Sequence, residues 1–401
     1  MAQAGALAGV KILDLTAVVL GPLATQILAD FGADVIKIEP GTGDLMRTNG
    51  TPRTPGLGSI FLALNRNKRS LGLDLKRPEA KAVLRRLITQ ADVLVHNMRP
   101  AAMARLGFAP EQCLAINPRL IYAAAPGFGQ DGCDRDLPAF DDIIQAACGM
   151  ADMVSEGQAT PDYVPSLIAD KTTGMALAQA VLAALFARER TGQGQAVEVP
   201  MLETMVSFLL AEHMGGLTYP GSDIAPGYRR VTKGGRRPMP TADGHIALLP
   251  YSGDDWLNLF GEVGRRDEAA ALGVEDRTTR NANIQRIYAV LETITRAKTT
   301  AEWLAICRRL DIPAMRLIPV AELPDQPHLR EVGLFQIQQH PHAGEIRVMR
   351  HPTRFSATPT ALRRPAPRLG EHNTEILAEA GYTPDEIAAL RSAGILQESA
   401  R

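Results

Sequence analysis

The chain has 401 residues, 45% hydrophobic and 22% charged, the composition of a globular protein with room for roughly two or three domains. Its 43 basic and 44 acidic residues leave a net charge of −1, which excludes recruitment of nucleic acid or an anionic membrane by a global field; an anionic ligand has to be held locally. The four cysteines, Cys113, Cys133, Cys148 and Cys307, lie far apart without a CxxC pair, which argues against a zinc site or a disulfide framework and fits a reducing cytoplasm.

The N-terminal "MAQAGALAGVKILDL" lacks a basic leader segment and runs into a strand-like stretch, so it reads as mature protein. Short β-prone segments follow at Val10 to Leu15, Val35 to Ile38, Ser70 to Leu73, Val93 to His96 and Leu120 to Ala124. Helical patterns lie between several of them. In "GPLATQILADFGADVIKIE", Gly21-Pro22 opens a helix whose Leu23, Ile27, Leu28 and Phe31 recur at helical spacing, Gly32 ends it, and a strand follows. "PEAKAVLRRLITQADVLVHN" repeats the unit with Pro78 near its start. This α/β alternation predicts a parallel sheet. The longest apolar stretch, Met175 to Ala187, is too short for a hydrocarbon layer about 30 Å thick, so a soluble protein is expected. Near 215 to 240 the chain turns rich in Gly, Pro and Arg, as a connection between domains would be. A compact region follows, mostly helical from Arg280 to Leu310 and closed by Pro313. Strand-like segments then return, and the chain ends in two short helices.

No P-loop and no GxSxG elbow is present, and the eight histidines include no HExxH. "GTGD" at Gly41 to Asp44 is too short for a dinucleotide fingerprint and reads as a turn after a strand. "HPH" at His340 to His342 reads as a surface loop, and Cys148 as a small core residue. The candidates for holding an anion are cations near strand ends, Arg66, Lys68, Arg69 and Lys76 in one segment and Arg99 and Arg105 in the next, with the neutral amide of Asn97 beside Arg99. Each could equally be an ordinary surface charge. One carboxylate is placed differently. Asp170 follows "SLIA" and opens an unusually apolar helix, whose lack of charge implies a buried position. There it would either cap the helix, or, kept ionised by the helix N-terminus although poorly hydrated, act as a nucleophile.

In order along the chain, "VLGPLATQILADFGADVIKIEPGTGD", "FLALNRNKRSLGLDLKRPE", "ADVLVHNMRP", "AFDDIIQAACGM", "IADKTTG", "RTGQGQAVEVPMLE" and "RLGEHNTEIL" resemble the signature segments of class III CoA-transferases. That superfamily holds formyl-CoA transferase, crotonobetainyl-CoA:carnitine CoA-transferase and the α-methylacyl-CoA racemases. The resemblance implies that Asp170 is the catalytic aspartate, attacking an acyl-CoA thioester to form a mixed anhydride. It also implies a CoA groove formed by Val19, Lys76, Asn97, Met98 and Arg105, with coenzyme A entering as the acyl-CoA substrate and no metal or redox cofactor. Where the racemases carry a catalytic His followed by Asp, this chain has Phe140-Asp141. Asp141 then either helps to place an acceptor or activate a water, or caps the helix that follows it.

The resemblance has departures. The glycine-rich loop of formyl-CoA transferase corresponds to "APGYRRVTKGGRRPMP", with only Gly234-Gly235 adjacent, and a groove lysine is missing near Leu137-Pro138. The basic run Arg229, Arg230, Lys233, Arg236 and Arg237 could receive an acceptor carboxylate or a CoA phosphate, or be a solvated loop. The apolar stretch Met205 to Met214 favours a carbon-chain acid, with a dicarboxylate still possible. The implied fold is α/β. It has a large Rossmann-like domain built from both chain ends (1–222 and 327–401) and a smaller inserted α+β domain (223–326). Two copies would interlock as a homodimer in the cytoplasm. Racemase chemistry, or acyl-CoA binding without turnover, are the alternatives to transfer between an acyl-CoA and a carboxylic acid.

Overall fold

The computed structural model describes residues 5–155, 160–232 and 235–399, apart from the side chain of Arg229. The chain forms two compact units, one from Met1–Leu209 with His328–Arg401, the other from Leu210–Pro327. The first boundary lies earlier than the Gly- and Pro-rich texture suggested, because the helix Met201–His213 carries the chain across it.

The larger unit is built on six strands: β1 (Lys11–Asp14), β2 (Asp34–Glu39), β3 (Lys68–Gly72), β4 (Val93–His96), β5 (Ile121–Ala124) and β6 (Gln195–Glu198). Their order is β3-β2-β1-β4-β5-β6 and every pairing is parallel; Ile12, for example, is in register with Val35 and Val93. The first five coincide with the predicted segments. The sixth was not foreseen because an edge strand, mostly exposed here, carries no apolar run.

Between the strands lie α1 (Leu20–Asp30), α2 (Ser59–Leu64), α3 (Pro78–Ile88), α4 (Pro100–Leu106), α5 (Pro110–Ile116), α6 (Asp141–Ala147), α7 (Met150–Val154) and α8 (Ile168–Thr191). Successive strand residues point to opposite faces, which sorts the core into two layers. Ile12, Val93 and Val95 pack with Leu20, Ala24 and Leu28 of α1 and Leu177 and Val181 of α8. Leu13, Leu94 and Tyr122 pack on the other face with α3, α5 and the C-terminal helices Asn373–Glu379 and Pro384–Ser392. The C-terminal segment also covers the edge of β3: Gln397 N–H donates to the Gly72 carbonyl (3.0 Å) and His372 N–H to that of Ser70 (3.1 Å).

Since α1 follows β1 and α8 leads back to β6, both helices start at the carboxyl end of the sheet, on the same face. They touch at Gly174, where an added Cβ would lie 2.5 Å from the Leu20 carbonyl oxygen. α8 is not buried all round as its apolar sequence implied: Met175 and Phe186 are 53% and 63% exposed. Among the described residues, no helix is long and apolar enough to cross a membrane.

The smaller unit has a three-stranded antiparallel sheet of Met239–Pro240, His245–Leu248 and Ala314–Arg316. Its core gathers Trp256, Phe260, Ile287, Leu291 and Trp303.

Candidate active site

Asp170 is the third residue of α8, whose N-cap is Leu167, so it does not cap its own helix. The capping group comes from elsewhere: Asp141 Oδ2 accepts the Asp170 backbone N–H at 2.9 Å, satisfying one of the donors a helix start leaves open. Asp141 is held in turn by Gln145, whose Nε2 donates to Oδ1 at 2.6 Å and whose Oε1 accepts the Val164 N–H at 2.9 Å. The segment leading into α8 is thereby tied to α6. With its carboxylate turned to α8, Asp141 does not cap the helix that follows it, whose N-cap is Phe140.

The Asp170 carboxylate oxygens accept no hydrogen bond among the described residues. The residue is 8% exposed. Burial pushes its pKa up, and the negative charges of Asp141 and Asp142 push it further, to about 7. The helix N-terminus therefore does not keep Asp170 ionised through the acidic range, as the sequence suggested. Around the carboxylate's own segments stand apolar side chains open to solvent: Leu137, Phe140, Ile143 and Leu167. Cys148, near the end of the same helix as Asp141, is buried, its Sγ facing the Gln145 carbonyl, and burial raises its thiol pKa; it is a core residue.

The start of α1 packs against α8 at Leu20 and Gly174. Val18 has φ +73°, a conformation that β-branched residues rarely adopt and that costs about 1–3 kcal/mol. Two side chains impose it. Asn97 clamps Ala17, with Oδ1 accepting its N–H (3.0 Å) and Nδ2 donating to its carbonyl (2.8 Å). Asp44 Oδ1 accepts the Val18 N–H at 3.1 Å. Asp44 is itself anchored by a buried ion pair to Lys37 at 2.9 Å, and Lys37 also donates to the Thr16 carbonyl. Beside it Lys68 pairs with Asp14 at 3.0 Å, both fully buried. Burial pushes the Asp14 carboxyl up, but Lys68, Lys37 and the hydroxyls of Thr16 and Thr25 outweigh it and bring its pKa to about 2. The "GTGD" turn thus contributes Asp44, a residue its sequence context did not single out.

Of the groove residues expected from sequence, Val19 is the buried N-cap residue of α1, and Asn97 and Met98 are half-buried just after β4. Lys76, beyond β3, and Arg105, on α4, are exposed and form no ion pair among the described residues. Three other cations are spent internally: Arg66 pairs with Asp30, Lys68 with Asp14, and Arg69 with Asp34, Glu375 and Glu379. Buried and paired, they are corrections to the anion-binding set. In the smaller unit Arg237 pairs with Glu292, while Arg236 has no ion pair among the described residues. Lys233 and the Arg229 side chain lie outside the described part. No cluster of three His, Cys, Asp or Glu side chains suited to a metal occurs among the described residues.

The family model for CoA-transferase family III matches residues 7–373. The chain is 33% identical over 382 residues to the probable fatty acyl-CoA transferase Rv3272 of Mycobacterium tuberculosis, covering 92% of this chain and 97% of that one. It is also 33% identical over 410 residues to formyl-CoA:oxalate CoA-transferase of Escherichia coli O157:H7, covering 96% and 98%. The crystal structure of Rv3272 in its orthorhombic form superposes with a TM-score of 0.82 at 31% identity, covering 93% of this chain and 99% of that one. A CAIB/BAIF family protein from Brucella suis gives 0.80 at 29% identity, covering 94% and 100%. With its parallel six-stranded sheet and a match along nearly its whole length, the chain belongs to CoA-transferase family III, a family of acyl-CoA transferases.

Proposed function

We propose that this protein moves CoA from an acyl-CoA thioester to a free carboxylic acid through covalent intermediates at Asp170. The observation that carries the reading is the buried, unpaired carboxylate with its pKa raised to about 7. A carboxylate of ordinary basicity, pKa 3.8, is a poor nucleophile against a thioester whose leaving thiol has a pKa near 8.5. Raising it to about 7 narrows that gap from roughly five units to between one and two, which favours attack.

The ionised Asp170 adds to the thioester carbonyl and expels CoA thiolate, leaving a mixed anhydride. The thiolate attacks the aspartyl carbonyl, releasing the donor acid and forming an aspartyl-CoA thioester. The acceptor carboxylate then displaces the thiolate to form a second anhydride. A last attack by thiolate on the acceptor acyl carbon yields the new acyl-CoA and regenerates Asp170. In this reading Val19, Asn97 and Met98 line the CoA groove, and Lys76 and Arg105, exposed and unpaired, meet its phosphates. Asp141 fixes the backbone of Asp170. The exposed apolar side chains on the segments that carry Asp141 and Asp170, Phe140, Ile143 and Leu167, suit a substrate with a carbon chain.

The exposed Met175 and Phe186 of α8 support a homodimer, interlocked as the resemblance implies, since large apolar groups on one long helix call for a cover. Light scattering at micromolar concentration should give twice the 43.2 kDa chain mass. All four cysteines are unpaired, in keeping with the cytoplasm. The central test is intact-mass spectrometry after incubation with a panel of acyl-CoA donors, with hydroxylamine or borohydride trapping. A modification is expected on Asp170 and none on Asp170→Ala. Exchange of the substrate α-proton with heavy water, without any adduct, would place the protein with the racemases instead.

A further inference from the structure

In the smaller unit, Tyr288 of the helix Ile284–Thr295 is 3% exposed, and its buried hydroxyl, faced by the Arg236 guanidinium as a donor, finds no acceptor for its own proton. A buried hydroxyl left unpaired costs about 1–3 kcal/mol. The charges of Arg236 and Arg230 act on it, opposing burial, which pushes its pKa up. Guanidinium groups only donate, so the Tyr288 O–H proton still lacks an acceptor.

The backbone brings these groups together by design of sequence. Gly235, at φ +71°, lies over Tyr288; a Cβ there would sit 3.3 Å from the tyrosine Cβ. Glycine lets the arginine-bearing segment lie down on the ring. Arg230 is fixed by stacking on Tyr251, its Cζ 5.0 Å from the ring centroid, while its buried Nε also lacks a partner. Arg237, by contrast, is neutralised by Glu292. Tyr288, Arg236 and Arg237 line a cavity of about 500 Å³, the volume of a small-molecule site. Its other walls are apolar, including Leu248, Leu249, Pro313 and Met315.

We infer that this cavity binds an organic monocarboxylate, the acid anion accepting from Arg236 and the Tyr288 hydroxyl while its hydrocarbon part lies against Leu248 and Met315. One anion would give the Tyr288 O–H proton its acceptor and pair the uncompensated Arg236. The apolar walls favour a carbon-chain acid over a phosphate. The choice of a carboxylic acid rests on the proposed reaction; the binding measurement does not need that reaction to occur.

The test is calorimetric titration of hexanoate into the full-length protein, without CoA, on wild type, Asp170→Asn, Arg236→Ala, Arg236→Lys and Tyr288→Phe. Wild type and Asp170→Asn should bind alike. Arg236→Ala should weaken binding by about tenfold or more, the loss of a charge-assisted hydrogen bond, with Arg236→Lys in between. Tyr288→Phe, which keeps the ring and so the fold, should weaken it about fivefold. Unchanged affinity in both Arg236→Ala and Tyr288→Phe would overturn the assignment, as would no heat from wild type up to about 20 mM acid. So would loss of binding in Asp170→Asn alone, which would put the acid at Asp170. Displacement of hexanoate by desulfo-CoA in Asp170→Asn but not in Arg236→Ala would identify a phosphate site instead. Failure to trap an adduct on Asp170 would leave the binding result standing, so the two proposals fail separately.

Discussion

Asp170 is set apart by its surroundings, and pH is the way to read them. If its ionised form is the nucleophile, kcat/KM for the acyl-CoA should rise tenfold per pH unit below about 7 and level off above it. Asp141→Asn removes one of the negative charges that raise this pKa, so the midpoint of the profile should move to lower pH. A purely structural Asp141 would change the amplitude and leave the midpoint in place. Stability follows the same group with a definite sign. The Asp170 carboxyl is raised in the folded state, so the folded protein holds this proton between pH 3.8 and about 7 while the unfolded chain has released it. Its contribution is present at low pH and is lost as pH rises through about 7. Asp170→Asn should therefore stabilise the fold at pH 8 by on the order of 2–4 kcal/mol, with the gain shrinking towards pH 4. Thermal unfolding of both proteins across that range measures it.

At the scale of elements, the pairing of α1 with α8 positions the nucleophile. Gly174 is one turn beyond Asp170 on the same helix face, and it permits contact with the Leu20 backbone at the start of α1. Gly174→Ala would drive a methyl group to 2.5 Å from a carbonyl oxygen, where backbone and not a flexible side chain must yield. We expect a loss of about 1–3 kcal/mol in chemical unfolding. Activity should fall further than stability explains, because the strained Val18 turn and the first turn of α8 would separate. Assays well below the lowered unfolding midpoint distinguish the two effects.

For the molecule as a whole, the buried ion pairs Asp14–Lys68 and Lys37–Asp44 belong to the larger unit, whereas both tryptophans, Trp256 and Trp303, are in the smaller one. Lys68→Met would leave Asp14 buried without its nearest cation, a change that typically costs about 3–5 kcal/mol. In denaturant, far-UV circular dichroism of this variant should show an early transition while tryptophan fluorescence keeps the wild-type midpoint. Coincident shifts in both signals would mean that the units unfold as one.

What the sequence determined by itself rests on local pattern. Pro and Gly at helix ends, apolar residues at helical spacing and β-prone runs located five of the six strands and the helices α1 and α3, and one carboxylate in an apolar stretch pointed to Asp170. Ordered motifs along the chain supplied the family. The tertiary structure decided what depends on residues distant in sequence. Asp141 meets Asp170 across 29 residues and Asp44 meets Val18 across 26. Lys68 and Arg69, adjacent cations that read as anion binders, are consumed by acidic partners from other elements. The ionisation of Asp170 was misjudged for the same reason: a helix N-terminus is visible in the sequence, but the desolvation and the two neighbouring carboxylates that outweigh it arise only when the chain is packed.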